Sequence, residues 1–276
     1  MLSVLQCLFG IDEFRRQMMA YSNGKYNTNT GFAAIVEQIS SMGFFSRKFG
    51  VVSVKKFFNF VAQVNPTFGR QEGIDAHEFL QWILIELQST VSGVRYDKAK
   101  YDPKAQPTWV QNLFEIIVGN SFRCLCCESV TMLPESAWTL SLDVDANTSL
   151  PELYRYFIRT ETLKLNEKKY CDKCKTFQEI DRSNKLMKLP RNLIVHMKRL
   201  FPIDKINIKK LDYKILFPLE MRFGVQSGGP FPEDRLYDLK GVVVHNTPGL
   251  KIGHYYALVK YGDIWLKFDD TAISVI

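Results

Sequence analysis

Two C-x-x-C pairs stand far apart in this chain, and any fold it adopts must bring them to one point. Cys124-Leu-Cys126-Cys127 and Cys171-Asp-Lys-Cys174 have 43 residues between them. Four thiolates from two such knuckles make a tetrahedral zinc site with no position left open for water, hence a structural one. In small peptides such sites contribute on the order of 10 kcal/mol to folding. The separation exceeds the usual ribbon spacing, so whole strands and a helix must be inserted. The helix is visible where Ser149 and Glu152 take the spacing of a capping box ahead of Leu153, Tyr154 and Phe157. The ligands are read as Cys124, Cys127, Cys171 and Cys174, with Cys126 a spectator. Six cysteines in 276 residues, four of them so paired, indicate metal binding in a reducing compartment, cytoplasmic or nuclear, rather than a disulfide scaffold.

A second constraint lies near the C-terminus. Gly253-His254-Tyr255-Tyr256 is followed by Trp265-Leu266-Lys267-Phe268-Asp269-Asp270. Ile264, Leu266 and Phe268 alternate with Trp265, Lys267 and Asp269, the period of a half-buried strand, and Gly262-Asp263 is a turn signal. A hairpin of this size returns Asp269 to the side of His254. An imidazole oriented by a carboxylate is two-thirds of a nucleophilic triad.

Residues 1–90 read as helical. The start, MLSVLQCLFGIDEFRR, has no basic leader and no small-residue cleavage site, so it reads as an amphipathic helix with Val4, Leu5, Leu8 and Phe9 on one face. Ser53 is a candidate cap for a helix bearing Phe57, Phe58, Phe60, Val61 and Val64. Asp75 and Glu78 have capping-box spacing before Phe79, Leu80, Ile83, Leu84 and Leu87. His77 on that first turn and His196 within a strand read as packed side chains, and His245 as a strand-end residue. Residues 92–107 form a polar connection, and 226–232 a Gly/Pro-rich loop. Tyr213–Phe217 and Leu219–Phe223 read as a strand pair broken at Pro218. A helical first third and a strand-rich remainder give an α+β chain.

The formal charge of +7 and pI of about 9.0 describe a mildly basic surface. No Lys/Arg block of five or more occurs, which argues against a nucleic-acid partner. No apolar run approaches the ~18 residues that span a bilayer, so no membrane partner is expected.

SVLQCL at 3–8, DAHEFL at 75–80, the cysteine pairs, LPRNLIVHMKRL at 189–200, FPLEMR at 217–222, YDLKGVVVH at 237–245, and GHYYALVK with WLKFDD resemble, in that order, the ubiquitin-specific proteases, the peptidase C19 family of cysteine deubiquitinases. PTWVQNLFE, RCLCCES and PEDRLYDLKGVVVH are similar to its compact subgroup, which includes human paralogues 12 and 46 and is stimulated by WD40-repeat proteins. The resemblance implies one catalytic domain over 1–276, with the right-hand fold of the papain-like cysteine protease superfamily. A helical thumb would take about 1–90. Zinc-bearing fingers, with inserted palm elements, would take about 115–185, and a β palm about 186–276. It implies His254 as general base, Asp269 as its orienting carboxylate and Asp270 as a secondary polar group. Asp75 and Tyr255 would face the ubiquitin tail. The partners implied are ubiquitin, ubiquitinated proteins and a WD40-repeat activator.

Three departures from the family pattern stand out. The nucleophile of G-N-T-C-Y-x-N-S-V-L-Q would fall two residues before Met1, so the chain is expected to be truncated at both ends and, as written, inactive. Cys7 lies eight residues further along, ~12 Å up the axis of a helix and about 80° around it, and is no substitute. Gly73 and Ile74 stand where the family has Gln-Gln, and the palm sheet is expected to lack its final edge strand. Three readings stay open on the sequence. The chain is part of an active deubiquitinase, or a pseudo-enzyme that binds ubiquitin without cleaving, or a zinc-ribbon scaffold. The last leaves the His254–Asp269 hairpin unused.

Overall fold

The computed structural model describes residues 1–22, 31–45, 52–69, 74–94, 106–202, 204, 208–225, 233–246 and 253–276. Most of the polar connection at 92–107, the loop at 226–232, residues 247–252 and Gly73 lie outside the described residues. The chain divides into two compact units. One is Met1–Arg95 with Pro202–Lys210 and Leu239–Ile276; the other is Tyr96–Phe201 with Leu211–Asp238. Among the described residues no helix is long and apolar enough to cross a membrane.

The first unit pairs helices with a sheet. Its helices are Leu2–Phe9, Asp12–Ser22, Gly31–Phe45, Lys55–Val64 and Ala76–Ser92. The stripe foreseen on the first of them is buried, with Val4 and Leu5 almost wholly enclosed. Phe79, Ile83, Leu84 and Leu87 of the last are fully enclosed, each contributing roughly 1.5–3 kcal/mol by leaving water. Phe57 and Phe68 meet Phe79 edge-on, with ring centres at 6.4 and 5.4 Å. Ser53 is not the cap of the fourth helix. Val54 holds that position in a helical conformation, with no side-chain hydrogen bond. A β-branched apolar residue cannot offer the oxygen that such a cap requires.

The sheet of this unit runs Gly241–His245, Tyr255–Tyr261, Ile264–Asp269, Ala272–Val275, each strand antiparallel to the next. Tyr261 pairs with Ile264 across Gly262, whose φ of 59° suits a residue without a side chain. Ala272–Val275 forms the outer edge, a strand that the sequence reading did not foresee. Helix Leu2–Phe9 packs against the first three strands. Ala257 and Val259 are buried, and their alternation with Tyr256 and Leu258 turns those residues to the opposite face.

The second unit is built on a four-stranded sheet in the order Val130–Ala137, Ile116–Cys124, Ile180–Lys188, Glu161–Leu163. Its main core joins Leu140, Leu153, Tyr154, Leu186 and Phe223. Helix Trp109–Phe114 begins with a complete capping box between Thr108 and Gln111. At Ser149 only half of the expected box forms. Its Oγ accepts from the Glu152 N–H, while the Glu152 carboxylate turns to Arg155. The strand pair expected around Pro218 is absent as such. Ile215–Leu216 lies parallel to Thr148–Ser149, and Glu220–Val225 pairs with Glu233–Asp238. A tight antiparallel return needs a turn of about two residues with a residue tolerant of positive φ, and Phe217-Pro218-Leu219 supplies none. His196 sits on the strand Val195–Lys198, its Nδ1 3.3 Å from Ser141 Oγ.

Candidate active site and thiolate cluster

In the helix-and-sheet unit the hairpin Tyr255–Tyr261/Ile264–Asp269 brings His254 to Asp269. Nε2 of the ring is 2.5 Å from Asp269 Oδ1. With its proton on Nε2, donated to that carboxylate, the ring presents a lone pair on Nδ1. Asp270 Oδ2 is 3.9 Å from Nδ1. Asp270 adopts φ 51° in the two-residue link to the edge strand, a left-handed conformation that Asp tolerates better than most residues. His254, Asp269 and Asp270 thus form one group within 4.8 Å. Lys267 joins them: its Nζ is 2.7 Å from Asp269 Oδ2 and 4.4 Å from the centre of the Tyr256 ring. The Lys267 ammonium, then the His254 ring, hold the Asp269 carboxyl below the usual range, and Asp269 holds the Lys267 ammonium above its own.

The other residues foreseen near the site lie around the start of the strand Tyr255–Tyr261. Asp75 is the N-cap of helix Ala76–Ser92, and its Oδ1 accepts from the N–H groups of His77 at 2.7 Å and Glu78 at 3.0 Å. Tyr255 is brought close to it. Burial raises the Tyr255 phenol, the Asp75 charge adds to that, and a hydrogen bond from the Ala76 backbone opposes it. His245 stacks on Tyr255 with ring centres 4.6 Å apart. Burial and then the nearby Lys210 charge lower the His245 ring, against the pull of Asp75. A side chain on Gly253 would come 3.0 Å from His245 Nε2 and 3.1 Å from the Tyr255 ring, so one there would have to push these rings aside. The Asn246 N–H donates to the His254 carbonyl at 2.8 Å. His77 packs with Gln81, its Nε2 at 3.2 Å from the amide nitrogen, and burial lowers its ring.

Cys7 is the one thiol of this unit. It lies on the last turn of Leu2–Phe9, and a side chain on Gly241 would come 3.1 Å from its Sγ. Burial pushes the thiol up to about 12, the reverse of what an attacking thiolate needs.

In the other unit the two knuckles have one design. Cys124 ends a strand; Lys175 and Glu128, each following the second cysteine of a pair, have φ of 55° and 58°. The Glu128 N–H donates to the Cys124 carbonyl at 2.9 Å, and the Lys175 N–H to the Cys171 carbonyl at 2.8 Å. The four sulfurs of Cys124, Cys127, Cys171 and Cys174 lie within 4.8 Å of one another, with Cys127–Cys171 at 3.6 Å and Cys124–Cys174 at 3.9 Å. A Zn–S length of about 2.3 Å gives a tetrahedron with edges of about 3.8 Å, so the donor set fits zinc. Ser129 Oγ, 3.0 Å from Cys127 Sγ, holds that thiol down to about 6, whereas Cys127 pushes Cys174 up. Four sulfurs this close ionise together only around a cation. Cys126 is exposed and outside the group of four.

Lys267, read in the sequence only as part of a strand's alternation, and Ser129 were not identified there as site residues. Lys267 could have been found, since two-residue spacing puts it on the face of Asp269. Ser129 could have been found as the hydroxyl two residues beyond a knuckle cysteine.

The family model described as ubiquitin carboxyl-terminal hydrolase matches residues 1–276. The chain is 34% identical over 290 residues to ubiquitin carboxyl-terminal hydrolase 12 of Salmo salar, covering 99% of this chain and 78% of that protein. It is 34% identical over 302 residues to ubiquitin carboxyl-terminal hydrolase 4 of Arabidopsis thaliana, covering 99% and 81%. Among solved structures it is similar to the SAGA Ubp8/Sgf11/Sus1/Sgf73 DUB module bound to ubiquitin aldehyde, with a TM-score of 0.79 at 24% identity. The likeness covers 100% of this chain and 63% of the solved one. The same module bound to monoubiquitin gives a TM-score of 0.79 at 25% identity, covering 100% and 62%. The chain therefore spans a little over three-fifths of the solved chains it matches. The fold is the α+β fold of the ubiquitin-specific proteases, in the papain-like class.

Proposed function

The chain belongs to the ubiquitin carboxyl-terminal hydrolase family, and from that premise we propose that it is the base-bearing part of a cysteine deubiquitinase. The observation that carries this is the 2.5 Å contact of His254 Nε2 with Asp269 at the end of a strand against which helix Leu2–Phe9 packs. The amino end of that helix lies near enough to Asp270 to feel its charge. A thiol supplied just before Met1 would meet the base there, at a helix N-terminus that favours thiolate.

The thiolate attacks the carbonyl of ubiquitin's C-terminal glycine in an isopeptide bond. His254 Nδ1 takes the thiol proton and returns it to the departing lysine amine, while Asp269 fixes the ring and stabilises the imidazolium. Water, activated by the same nitrogen, then releases ubiquitin from the thioester. Asp75 and Tyr255 would line the path of the tail. The proposed partners are ubiquitin and ubiquitinated proteins, in keeping with the solved module bound to monoubiquitin, and a WD40-repeat activator, by similarity to the compact subgroup. Cys124, Cys127, Cys171 and Cys174 would hold one zinc ion, whose chemistry here is to neutralise and crosslink four thiolates.

Cys7 is packed and hard to ionise, so the polypeptide of residues 1–276 alone is proposed to be inactive. Loss of a triad nucleophile costs very roughly six orders of magnitude in turnover. The test is hydrolysis of a ubiquitin C-terminal coumarin amide by residues 1–276, and by the same chain with Gly-Asn-Thr-Cys-Tyr placed before Met1. The extended chain is expected to cleave and to lose cleavage on His254→Ala. Cleavage by residues 1–276 that His254→Ala abolishes would overturn the reading.

A further inference from the structure

We propose that Lys267 is a positioning residue for the His254–Asp269 pair, clamping the Asp269 carboxylate in the orientation that directs Oδ1 at His254. This inference rests on the base role proposed above. Asp269 divides its two oxygens: Oδ1 faces His254 Nε2 at 2.5 Å and Oδ2 faces Lys267 Nζ at 2.7 Å. A carboxylate held at one oxygen swings about its terminal torsion, which is broad and roughly two-fold. Held at both, it keeps one orientation.

The lysine is itself held. Its Nζ lies 4.4 Å from the centre of the Tyr256 ring, within the range of a cation–π contact. The strand geometry explains why these groups meet. Lys267 pairs with Leu258, and Ala257 with Phe268. Two-residue alternation therefore puts Lys267 and Asp269 on one face with Tyr256 of the neighbouring strand. The side chains of Lys267 and Asp269 keep only 32% and 27% of their exposure, so both are largely sheltered from competing water. Among the described residues, Tyr256 and Asp270 lie beside this cluster, and the Met1 amino group lies near Asp270.

The consequence is chemical. A fixed Oδ1 acceptor keeps the imidazole proton on Nε2, and the base lone pair on Nδ1, where a thiol can reach it. With Lys267 removed, Asp269 turns more freely and the competing tautomer, which has no lone pair to offer on Nδ1, gains population.

The test is the tautomer balance of His254, read from imidazole 15N shifts in the chain as it stands, which needs no turnover. The chain has four histidines, so His254→Gln assigns the resonance. In the parent chain and in Lys267→Arg the Nε2–H form should dominate; in Lys267→Met the Nδ1–H share should rise several-fold. In the chain extended with the cysteine motif, Lys267→Met should lower kcat about tenfold with KM within about twofold, and Lys267→Arg should restore most of it. Ring shifts of Lys267→Met that superimpose on the parent's would overturn the proposal. So would a change in Lys267→Arg as large as in Lys267→Met. Failure of the extended chain to cleave would instead count against the deubiquitinase reading, and the ring shifts would still decide the role of Lys267.

Discussion

The thiolate cluster and the His254–Asp269 site are built in opposite ways. At each knuckle the backbone does the positioning within five residues: a carbonyl caught by the N–H four residues on, and a left-handed residue after the second cysteine. The cluster closes on itself and leaves no ligand position open. The His–Asp site draws its parts from distant stretches. His254 immediately precedes the strand Tyr255–Tyr261, Asp269 ends the neighbouring strand, and the Asp75 cap lies near Tyr255. A structural centre is completed by local geometry. The proposed base site is instead held by side-chain contacts that single substitutions can loosen.

The largest effect should come from breaking the closed centre. Cys174→Ser should abolish stoichiometric zinc, measured by metal release against a colorimetric chelator, and should unfold the hairpin Lys169–Cys171/Thr176–Gln178. Such sites contribute on the order of 10 kcal/mol in small peptides. Cys126→Ser should keep one zinc per chain; loss of metal there would redraw the ligand set.

Next is the open centre. In the chain extended with the cysteine motif, Asp269→Asn should keep the fold and lower kcat about 10³-fold with little change in KM. The amide leaves the wrong ring tautomer favoured, as loss of a triad carboxylate does elsewhere. Asp270→Asn, whose oxygen is 3.9 Å from the ring, should cost less than tenfold. Steady-state kinetics on the two variants separates the roles.

Asp75 distinguishes a helix cap from a tail contact. Asp75→Ala removes an acceptor of two backbone N–H groups and should destabilise the chain by about 1 kcal/mol. Asp75→Asn keeps the cap and removes only the charge. If both weaken ubiquitin binding by calorimetry while only the first lowers the melting temperature, Asp75 serves both purposes.

The smallest effect concerns pH. The Asp269 carboxyl lies below its ordinary value through Lys267 and then His254. Its contribution to stability is therefore complete above the unfolded carboxylate range, near pH 4, and is lost only as pH falls through the lower folded value. A denaturant midpoint followed from pH 7 to pH 2 should show no loss from this group until below about pH 4, and Asp269→Asn should flatten that final slope.

These contrasts also explain what was legible in the sequence. The knuckles were readable because their geometry is local, and the hairpin was readable because Gly262-Asp263 separates two runs of period two. Pairing between remote segments was not. The Tyr213–Phe223 region offered two strand-like runs, yet nothing in it revealed that Ile215 would lie beside Thr148 or Glu220 beside Asp238. The meeting of Asp75 with Tyr255 and His245 likewise depends on how a helix start packs near a strand end. Ser53 misled because residue type alone does not fix where a helix begins: the helix starts at Lys55, and Val54 takes the cap position. Lys267 was visible on the correct face but has no meaning until the partner oxygen of Asp269 is known.

The proposal tested most directly is that His254 and Asp269 serve a thiol other than Cys7. The most direct measurement is peptide mapping by mass spectrometry after reaction with ubiquitin vinyl sulfone. Residues 1–276 should form no adduct. The chain carrying Gly-Asn-Thr-Cys-Tyr before Met1 should be labelled on that cysteine, and His254→Ala should suppress the labelling. An adduct on Cys7, or none on the restored cysteine of a folded extended chain, would contradict the account.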